Sequence, residues 1–541
     1  MRLIHIIFLL FLTTSIFAQT ELPTGQIEVI KDFEVRLLET KKIRIIPQPI
    51  ALDSALRRYE YKLSAPSPSI EYVVTELKPL AINPEKKNTY YPLFAKAGYG
   101  SPNSFLGEVS YDHHQNDQLQ WGIDFRTLSA NNKKILLQKF SDSRGRVNAS
   151  YNLNDNIQLQ GYIDGHFENI YFYGAENIPS NPDALKRSYK RYDAQFTLAN
   201  LGGEKQALRY SALFQHHFDK DDLGSRESAV TLGGVVDYSL TAKSFPIGLK
   251  AFLDYSTLKN TREQSVNNVL VEPYFQFHIG GLKVDLGGIG LLNKNSNLVR
   301  SKENEILPAI EISYNLFKNS MTIEAGWKGE VYKNNFHNLS SYNPYINTRL
   351  DSINNMISRK IYGGVKGATG KLQYSLSGGY TTFEHMAFFL QDYDKREQFN
   401  PVFDNGSYFG YEGSVRYEVL KNVILHGQAW QRFYNLDYED KPWHRPTVGI
   451  DGMLTYSGGD DIYHASFILH SENGLPYKTV GGTERRLDPL IDLNLHGDYY
   501  FTPMLGAFME INNILGNNRE PWYTYPSFGF NAKAGILFRM Q

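Results

Sequence analysis

Two histidine pairs, His113–His114 and His216–His217, are the most obvious candidate metal ligands in this sequence. Each pair lies in a segment whose polar and apolar residues alternate, which predicts a β-strand. Neighbouring residues on a strand point to opposite faces, so neither pair can bring both imidazoles to one metal ion from one side. We therefore expect these histidines to lie at the surface or in an aromatic girdle.

Three carboxylates, Asp219, Asp221 and Asp222, lie at the start of a predicted loop. Carboxylate oxygens are the ligands that Ca²⁺ prefers, but the spacing does not match a defined calcium loop. The run is more typical of solvated loop charge.

The sequence predicts neither a catalytic site nor a bound cofactor. No serine, histidine and carboxylate share an interpretable arrangement for nucleophilic catalysis. The glycines of Gly287–Gly290 lie inside a predicted strand and lack the strand-to-helix context of a phosphate-binding loop. The chain has no cysteine, which excludes disulfides, thiolate metal sites and a cysteine nucleophile. We therefore expect a protein that is not an enzyme.

Alternation with a period of two runs through the chain from Leu93 onward and predicts an all-β protein. The last segment is the clearest. One of its faces carries Phe528, Phe530, Ala532, Ala534, Ile536, Phe538 and Met540. The other carries Gly529, Asn531, Lys533, Gly535 and Arg539, with Leu537 as its one apolar residue. Segments 321–331, 407–419 and 491–501 repeat the pattern.

Three features favour a transmembrane barrel over a soluble sandwich. The predicted strands are much longer than the ~5–6 residues usual in soluble proteins. Aromatic residues recur near strand ends, at Tyr499–Phe501 and Trp430–Tyr434, where a girdle would meet lipid headgroups. Short links, such as Gly280–Gly281 and Lys421–Asn422, alternate with longer polar ones, such as Asn131–Asp142. Together they predict an antiparallel barrel of about 22 strands between Leu93 and Met540, closed by pairing of the first and last strands.

The first residues have the features of an export signal. Arg2 precedes an apolar run from Leu3 to Leu12, and Ala18 provides a small residue for cleavage. The alternative, a membrane anchor, would need an apolar run of ~20 residues. We expect a signal peptide at 1–18, a short periplasmic or lumen-associated segment at 19–91, and the barrel at 92–541. The proline-flanked strands of 19–91 fit either packing against the barrel or docking of a periplasmic partner.

Charge and hydropathy narrow the location and partners. The net charge of -1 argues against nucleic acid, whose phosphates require a basic surface. A mean hydropathy of -0.40 excludes a bundle of transmembrane helices. The expected location is the outer membrane of a Gram-negative cell, in contact with lipid and lipopolysaccharide. Protein partners would bind through residues 19–91 or the long loops.

The C-terminal region contains three distinctive segments, Met509–Asn517, Trp522–Pro526 and the final strand ending Ile536–Arg539. These segments resemble the last two strands in the barrel of TonB-dependent receptors, of the kind abundant in Bacteroidota. The resemblance covers roughly residues 92–541 and implies an outer-membrane barrel. Segment 19–91 is much shorter than the family's plug, so the chain is expected to lack one. The resemblance therefore does not carry TonB-driven transport with it, although Ile27–Ile30 or Val73–Thr75 could be mistaken for a TonB-contacting stretch.

Two functions remain open. The first is transport of an unidentified solute through the lumen. The second is a structural or assembly role in an outer-membrane complex. The inward face is expected to carry mixed charge, which fits both a water path and a closed network. Its clearest members are Glu324, Lys328, Glu330, Glu412, Arg416 and Glu418.

Overall fold

The computed structural model describes residues 90–114, 118–201, 207–239, 245–296, 302–317, 320–459, 462–517 and 519–540. The predicted signal peptide at 1–18 and residues 19–89 of the predicted N-terminal segment lie outside this range. No helix in these ranges is long and apolar enough to cross a bilayer.

Nearly all regular structure is β-strand, and 22 strands form one sheet. The strands are β1 Leu93–Ser101, β2 Ser104–His114, β3 Leu119–Asn131, β4 Lys139–Asn154, β5 Ile157–Tyr171, β6 Lys186–Asn200, β7 Leu208–Asp221, β8 Arg226–Ser239, β9 Pro246–Lys259, β10 Glu263–Ile279, β11 Leu282–Asn295, β12 Lys302–Leu316, β13 Met321–Asn334, β14 Asn354–Thr369, β15 Leu372–Gln391, β16 Phe399–Leu420, β17 Val423–Leu436, β18 Val448–Gly458, β19 Tyr463–Asn473, β20 Pro476–Lys478, β21 Glu484–Arg486, β22 Leu490–Tyr500, β23 Leu505–Asn512 and β24 Asn531–Met540. Strands β20 and β21 form a separate hairpin in the link between β19 and β22. The helices are a 3₁₀ turn, Pro182–Leu185, and α1, Phe336–Tyr342.

The sheet closes on itself. Each barrel strand pairs antiparallel with the next, and β1 pairs with β24 from Leu93 opposite Met540 to Ser101 opposite Ala532. Closure gives every strand two neighbours, so no edge is left with unpaired backbone groups in the hydrocarbon layer. The predicted fold class, strand count and closing pair are confirmed.

The two faces of the wall differ as the alternation predicts. On β24, Ile536 is 64% exposed on the outer face, whereas its neighbour Leu537 is 1% exposed on the inner face. Leu537 was the apolar exception in the sequence pattern, and it packs inside the barrel with Leu106, Tyr500 and Phe508. The outer face of the whole wall is rich in exposed apolar side chains, which suits contact with lipid.

One part of the expected girdle is wrong. Tyr499 and Phe501 are exposed at the turn end of β22, as expected. Trp430 lies on the inner face of β17, where the guanidinium of Arg432 stacks 4.7 Å from its ring. The sequence shows the aromatic cluster but not the strand register, and this register turns Trp430 inward.

The predicted short links that the structure describes in full, such as Gly280–Gly281, Thr369–Lys371 and Lys421–Asn422, are turns on the side of the barrel where β1 begins and β24 ends, which is the periplasmic side in outer-membrane barrels. The opposite side departs from the prediction, because links 102–103, 222–225 and 260–262 are as short as the turns. Two of these links are hydrogen-bonded to residues of the link between β13 and β14. The hydroxyl of Ser225 donates to the carbonyl oxygen of Thr348, and the amide of Asn260 donates to that of Leu350, so another loop already covers these turns.

Candidate functional site

Loops from around the barrel converge at the side opposite the start of β1 and the end of β24, which we call the mouth. The buried side chains that meet there are named the mouth cluster. Its members are Leu137, Ile170, Phe172, Leu185, Tyr189, Leu258, Val266, Phe336, Leu339, Ile346, Leu350, Ile353, Ala387, Phe389, Phe399, Trp522 and Tyr525. They come from links and strand ends between β3 and β24. Side chains from such distant strands can meet only if the loops fold across the opening.

Stacked aromatic rings form the centre of the mouth cluster. Tyr345 and Tyr525 stack with ring centroids 3.7 Å apart. Trp522 packs edge-on against Phe389 at 5.3 Å and tilted against Phe399 at 5.5 Å. Because Trp522 and Tyr525 belong to the link between β23 and β24, this contact joins the last loop to strands β15 and β16.

Residues 335–353, named the mouth loop, connect β13 to β14 and reach both sides of the opening. On one side, Ile346 forms a β-bridge with Phe399 of β16, and the backbone N–H of Asn347 donates to the Phe399 carbonyl oxygen at 2.8 Å. On the other side, Gln264 of β10 donates to the carbonyl oxygen of Leu350 at 2.8 Å. The mouth loop therefore crosses the opening rather than lying along its rim.

The barrel wall bends to bring this loop to its anchors. Lys333 at the end of β13 forms an ion pair of 2.6 Å with Asp254 of β9. Four strand spacings separate these strands, a path of roughly 19 Å along the wall. Direct contact between their side chains shows that the mouth-side end of β13 approaches β9 beneath the mouth.

A buried carboxylate organises the start of the mouth loop. Glu227 of β8 is fully buried and accepts hydrogen bonds from the amide of Asn335 and the backbone N–H of Phe336, both at 2.7 Å. These donors lie at the N-terminus of α1, where backbone N–H groups have no partner within the helix. The Asn335 side chain caps the helix by accepting from the N–H of Asn338. Glu227 thus fixes α1 against the wall.

A buried ion pair holds the middle of the mouth loop. Arg187 of β6 and Asp221 of β7 are joined at 3.0 Å, with side chains 1% and 0% exposed. Arg187 also donates to the Thr348 hydroxyl at 2.8 Å, and that hydroxyl donates to Asp221. The expectation of solvated charge at Asp219, Asp221 and Asp222 is therefore wrong for the first two, because the mouth loop covers them.

The structure also corrects the expectation for one histidine. His217 faces the interior, and its Nε2 lies 3.0 Å from Glu227. His337 of α1 adds a second imidazole, whose Nδ1 lies 2.6 Å from Asp219. Burial alone would lower the pKa of His337, but the hydrogen bond to Asp219 and the nearby carboxylates raise that pKa above its ordinary value. His113 stays in the aromatic surface, as expected, beside Tyr111 and Trp121.

His444, in the link between β17 and β18, has the opposite electrostatics. It is buried against the rings of Phe399 and Trp522, and its Nδ1–H donates to the carbonyl oxygen of Phe389 at 2.8 Å. Burial lowers its pKa to about 4. His444 is therefore a neutral imidazole within the mouth at physiological pH.

Below the mouth the inner wall is charged and paired along its surface. Lys250 meets Glu272 at 2.7 Å, and Lys96 and Lys533 both meet Glu510, at 2.6 and 3.2 Å. The predicted mixed-charge face behaves in the same way. Its pairs include Lys366 with Glu324, Lys328 with Glu311 and Lys360 with Glu412. Most of these groups keep part of their surface exposed, so pairing does not close the wall to water.

Open grooves lie along this wall in the half nearer the turns. One of about 680 Å³ is lined by Lys366, Gln373, Arg416, His426 and Asp451 among others. A second, of about 580 Å³, is lined by residues including Asp112, His114 and Arg146. Within the described residues, the interior is therefore packed at the mouth and open nearer the turns.

Sequence reasoning missed the residues that close the mouth. His337, Thr348 and Tyr345 lie in a link without periodicity, and no motif marks them. The resemblance assigns the aromatic segment Trp522–Tyr525 to the last two strands, whereas it lies in the loop between β23 and β24. Only the barrel brings His337 to Asp219, which lies 118 residues earlier in the chain.

Comparison with known proteins supports the fold. No protein-family model matches the chain, and no curated protein matches its sequence. Among solved structures, the pyoverdine outer-membrane receptor FpvA of Pseudomonas aeruginosa superposes with a TM-score of 0.62 at 11% identity, covering 84% of this chain and 79% of the receptor. The FrpB iron transporter of Neisseria meningitidis gives 0.64 at 9% identity, covering 84% and 82%. A variant of the ferric enterobactin receptor PfeA of P. aeruginosa gives 0.60 at 11%, covering 83% and 80%.

At these identities the likeness concerns the fold alone. It confirms the expected resemblance to receptor barrels at the level of barrel architecture. The expected absence of a plug and the Bacteroidota origin stay predictions. The closed barrel, its apolar exterior and its receptor-like architecture together make this chain an outer-membrane β-barrel protein.

Proposed function

We propose that this barrel transports a polar solute across the outer membrane and that the mouth loop gates the path. One observation carries the proposal: a charged, water-accessible inner wall lies below an opening closed by loops. If the lumen were only a packed core, side chains would be expected to fill it along its whole length. Among the described residues, the grooves near the turns stay open, whereas the mouth is packed.

The neighbouring folds point the same way. FpvA is a pyoverdine receptor, and FrpB is an iron transporter. Transport is thus the role already associated with similar barrels, although the solute of this chain is not defined by that likeness. The mixed charge of the inner wall favours a polar solute with no strong preference for one sign of charge.

Conductance in planar bilayers tests the gate. The mature wild-type protein should be mostly closed. The double variant Tyr345→Ala/Tyr525→Ala should conduct more often and for longer, because it removes the stacked pair that joins the mouth loop to the last loop. The matched control, Tyr393→Ala/Tyr438→Ala, removes two exposed tyrosines from other loops and should behave like wild type.

Residues 19–89 need a separate control, since they could close the path independently of the loops. The same variants are therefore also measured without that segment, after heat-dependent gel migration confirms a folded barrel. A folded Tyr345→Ala/Tyr525→Ala barrel that stays silent in both forms would contradict transport through the lumen.

A second function, as a structural or assembly subunit, is favoured by the same tight closure of the mouth. A barrel that conducts nothing has no need of a gate, and its packed loops would offer a firm docking surface. This alternative predicts stable co-purification with other envelope proteins after mild extraction. Recovery of the barrel alone, together with conductance in the gate variant, would exclude it.

A further inference from the structure

We propose that His217, Asp219 and His337 form a binding site for a divalent transition-metal ion that joins the mouth loop to the barrel wall. The site does not depend on the transport proposal, because metal binding can be measured whether or not the lumen conducts. The bound metal ion adds a further attachment between the mouth loop and the wall, beside the hydrogen bonds and packing contacts that already hold the loop.

The three side chains converge from two elements. His217 and Asp219 are two residues apart on β7, so both project from its inner face. His337 comes from the first turn of α1, and its ring centroid lies 4.9 Å from that of His217. One ligand atom from each residue lies within 4.8 Å of the others. Ligand atoms on one Zn²⁺ lie within about 4 Å of each other, so small side-chain rotations complete the set.

An unsatisfied carboxylate oxygen points independently to a ligand. Asp219 is 1% exposed, and its Oδ2 is paired with His337. Its Oδ1 is buried and has no hydrogen-bond partner among the described residues. Buried carboxylate oxygens are seldom left in this state, and a bound cation at this position would satisfy the oxygen.

The surrounding contacts are those of a metal centre. A metal-binding imidazole commonly donates its other ring N–H to a carboxylate, which fixes the ring. His217 has such a contact, since its Nε2 lies 3.0 Å from Glu227. Glu227 is itself held by Asn335 and Phe336 at the start of α1. The same carboxylate therefore orients a ligand on the wall and the helix that carries the other imidazole.

The donor set selects the class of metal. Two imidazoles and one carboxylate suit Zn²⁺ and its transition-metal neighbours, whereas Ca²⁺ and Mg²⁺ prefer oxygen ligands alone. Three protein ligands leave a coordination position for water or another small ligand. Zn²⁺ is the appropriate probe ion.

The test is Zn²⁺ titration of the tag-free mature protein in detergent by calorimetry, with bound metal counted by mass spectrometry. We expect one Zn²⁺ per chain. His337→Ala and Asp219→Asn should each weaken binding at least tenfold. His216→Ala is the matched control, because it removes the adjacent imidazole on the opposite face of β7, and it should bind like wild type. Heat-dependent gel migration verifies that each barrel is folded.

A second measurement links binding to the mouth loop. At a free Zn²⁺ concentration ten times the dissociation constant, opening of residues 335–353 should become about tenfold rarer, as read by their amide hydrogen exchange. The effect should be absent in His337→Ala. The proposal is overturned if wild type binds no Zn²⁺, or if it binds Zn²⁺ with an affinity that His337→Ala and Asp219→Asn leave unchanged.

Discussion

Replacing Arg187 with methionine should release the mouth loop from the barrel wall. Arg187 is 1% exposed and is the cation that faces the fully buried carboxylate of Asp221 at 3.0 Å. Methionine keeps the apolar stem but removes the charge and its donors, so Asp221 would lose its cation while keeping the Thr348 hydroxyl and the backbone N–H groups of Leu223 and Ser225. A carboxylate left in this state drives the covering loop away, because water can then reach the charge.

The expected magnitude follows from the burial of both partners. Removing one member of a buried ion pair costs about 3–5 kcal/mol, since the other charge stays desolvated. Loss of the hydrogen bond between Arg187 and Thr348 belongs to the same change. If the cost falls on the closed state of the loop, its opening equilibrium shifts between about a hundredfold and a few thousandfold, at 1.4 kcal/mol per factor of ten.

Amide hydrogen exchange of residues 335–353 measures this shift directly. Arg349→Met is the matched control, because Arg349 is exposed in the same loop, and its effect should stay within about 0.5 kcal/mol. The double variant Arg187→Met/Asp221→Asn removes both charges, keeps an acceptor for the N–H groups of Leu223 and Ser225, and should recover most of the protection. Exchange in Arg187→Met that equals wild type, or a double variant as exposed as the single one, would refute the electrostatic explanation.

Three further results are expected. The pKa of His444 is about 4 in the folded protein and 6.5 in the unfolded chain, so the unfolded chain takes up the proton first as the pH falls. Up to about 3 kcal/mol of the stability of the mouth should therefore be lost between pH 6.5 and about 4. His444→Leu should abolish that pH dependence in exchange experiments. Gly535→Ala should block barrel closure in refolding assays, since its Cβ would lie 2.0 Å from the Ala97 carbonyl oxygen, whereas Gly288→Ala, with its nearest atom at 3.7 Å, should refold normally. Ile361→Lys places a charge on the lipid-facing side of β14 near its middle and should cost about 2–4 kcal/mol in urea unfolding.

The barrel could be predicted from the sequence because each strand is specified by the residues within its own segment. A period of two reports which face each residue occupies, whatever the strand pairs with. Tight turns such as Gly280–Gly281 then set the order of neighbours, and closure follows from the need to pair the edges. Even the exception at Leu537 carried information, because an apolar side chain on the polar face marks a point where the interior is packed.

The mouth could not be predicted because the residues that contact one another there lie far apart in the sequence. Asp219 and Asp221 look solvated beside Asp222, and only the mouth loop, more than a hundred residues later, covers the first two. In the sequence, the only histidine beside His217 is His216, which lies on the opposite face of the strand. In the structure, the imidazole next to His217 is that of His337, which lies on a helix that the sequence pattern does not predict.

The contacts that hold the mouth loop differ on its two sides, and this difference favours a loop that opens. On the side of β16 the contacts are largely apolar, and exposing them to water costs free energy in proportion to their area. On the side of β6 and β7 they are charged, and opening restores the hydration that Arg187 and Asp221 lose when covered. An apolar pair at these positions would hold the loop as firmly or more firmly, by up to about 4 kcal/mol. Charges at these positions therefore do not make a permanently closed loop more stable. They do suit a loop that opens, because water can hydrate the charges once the contact is broken.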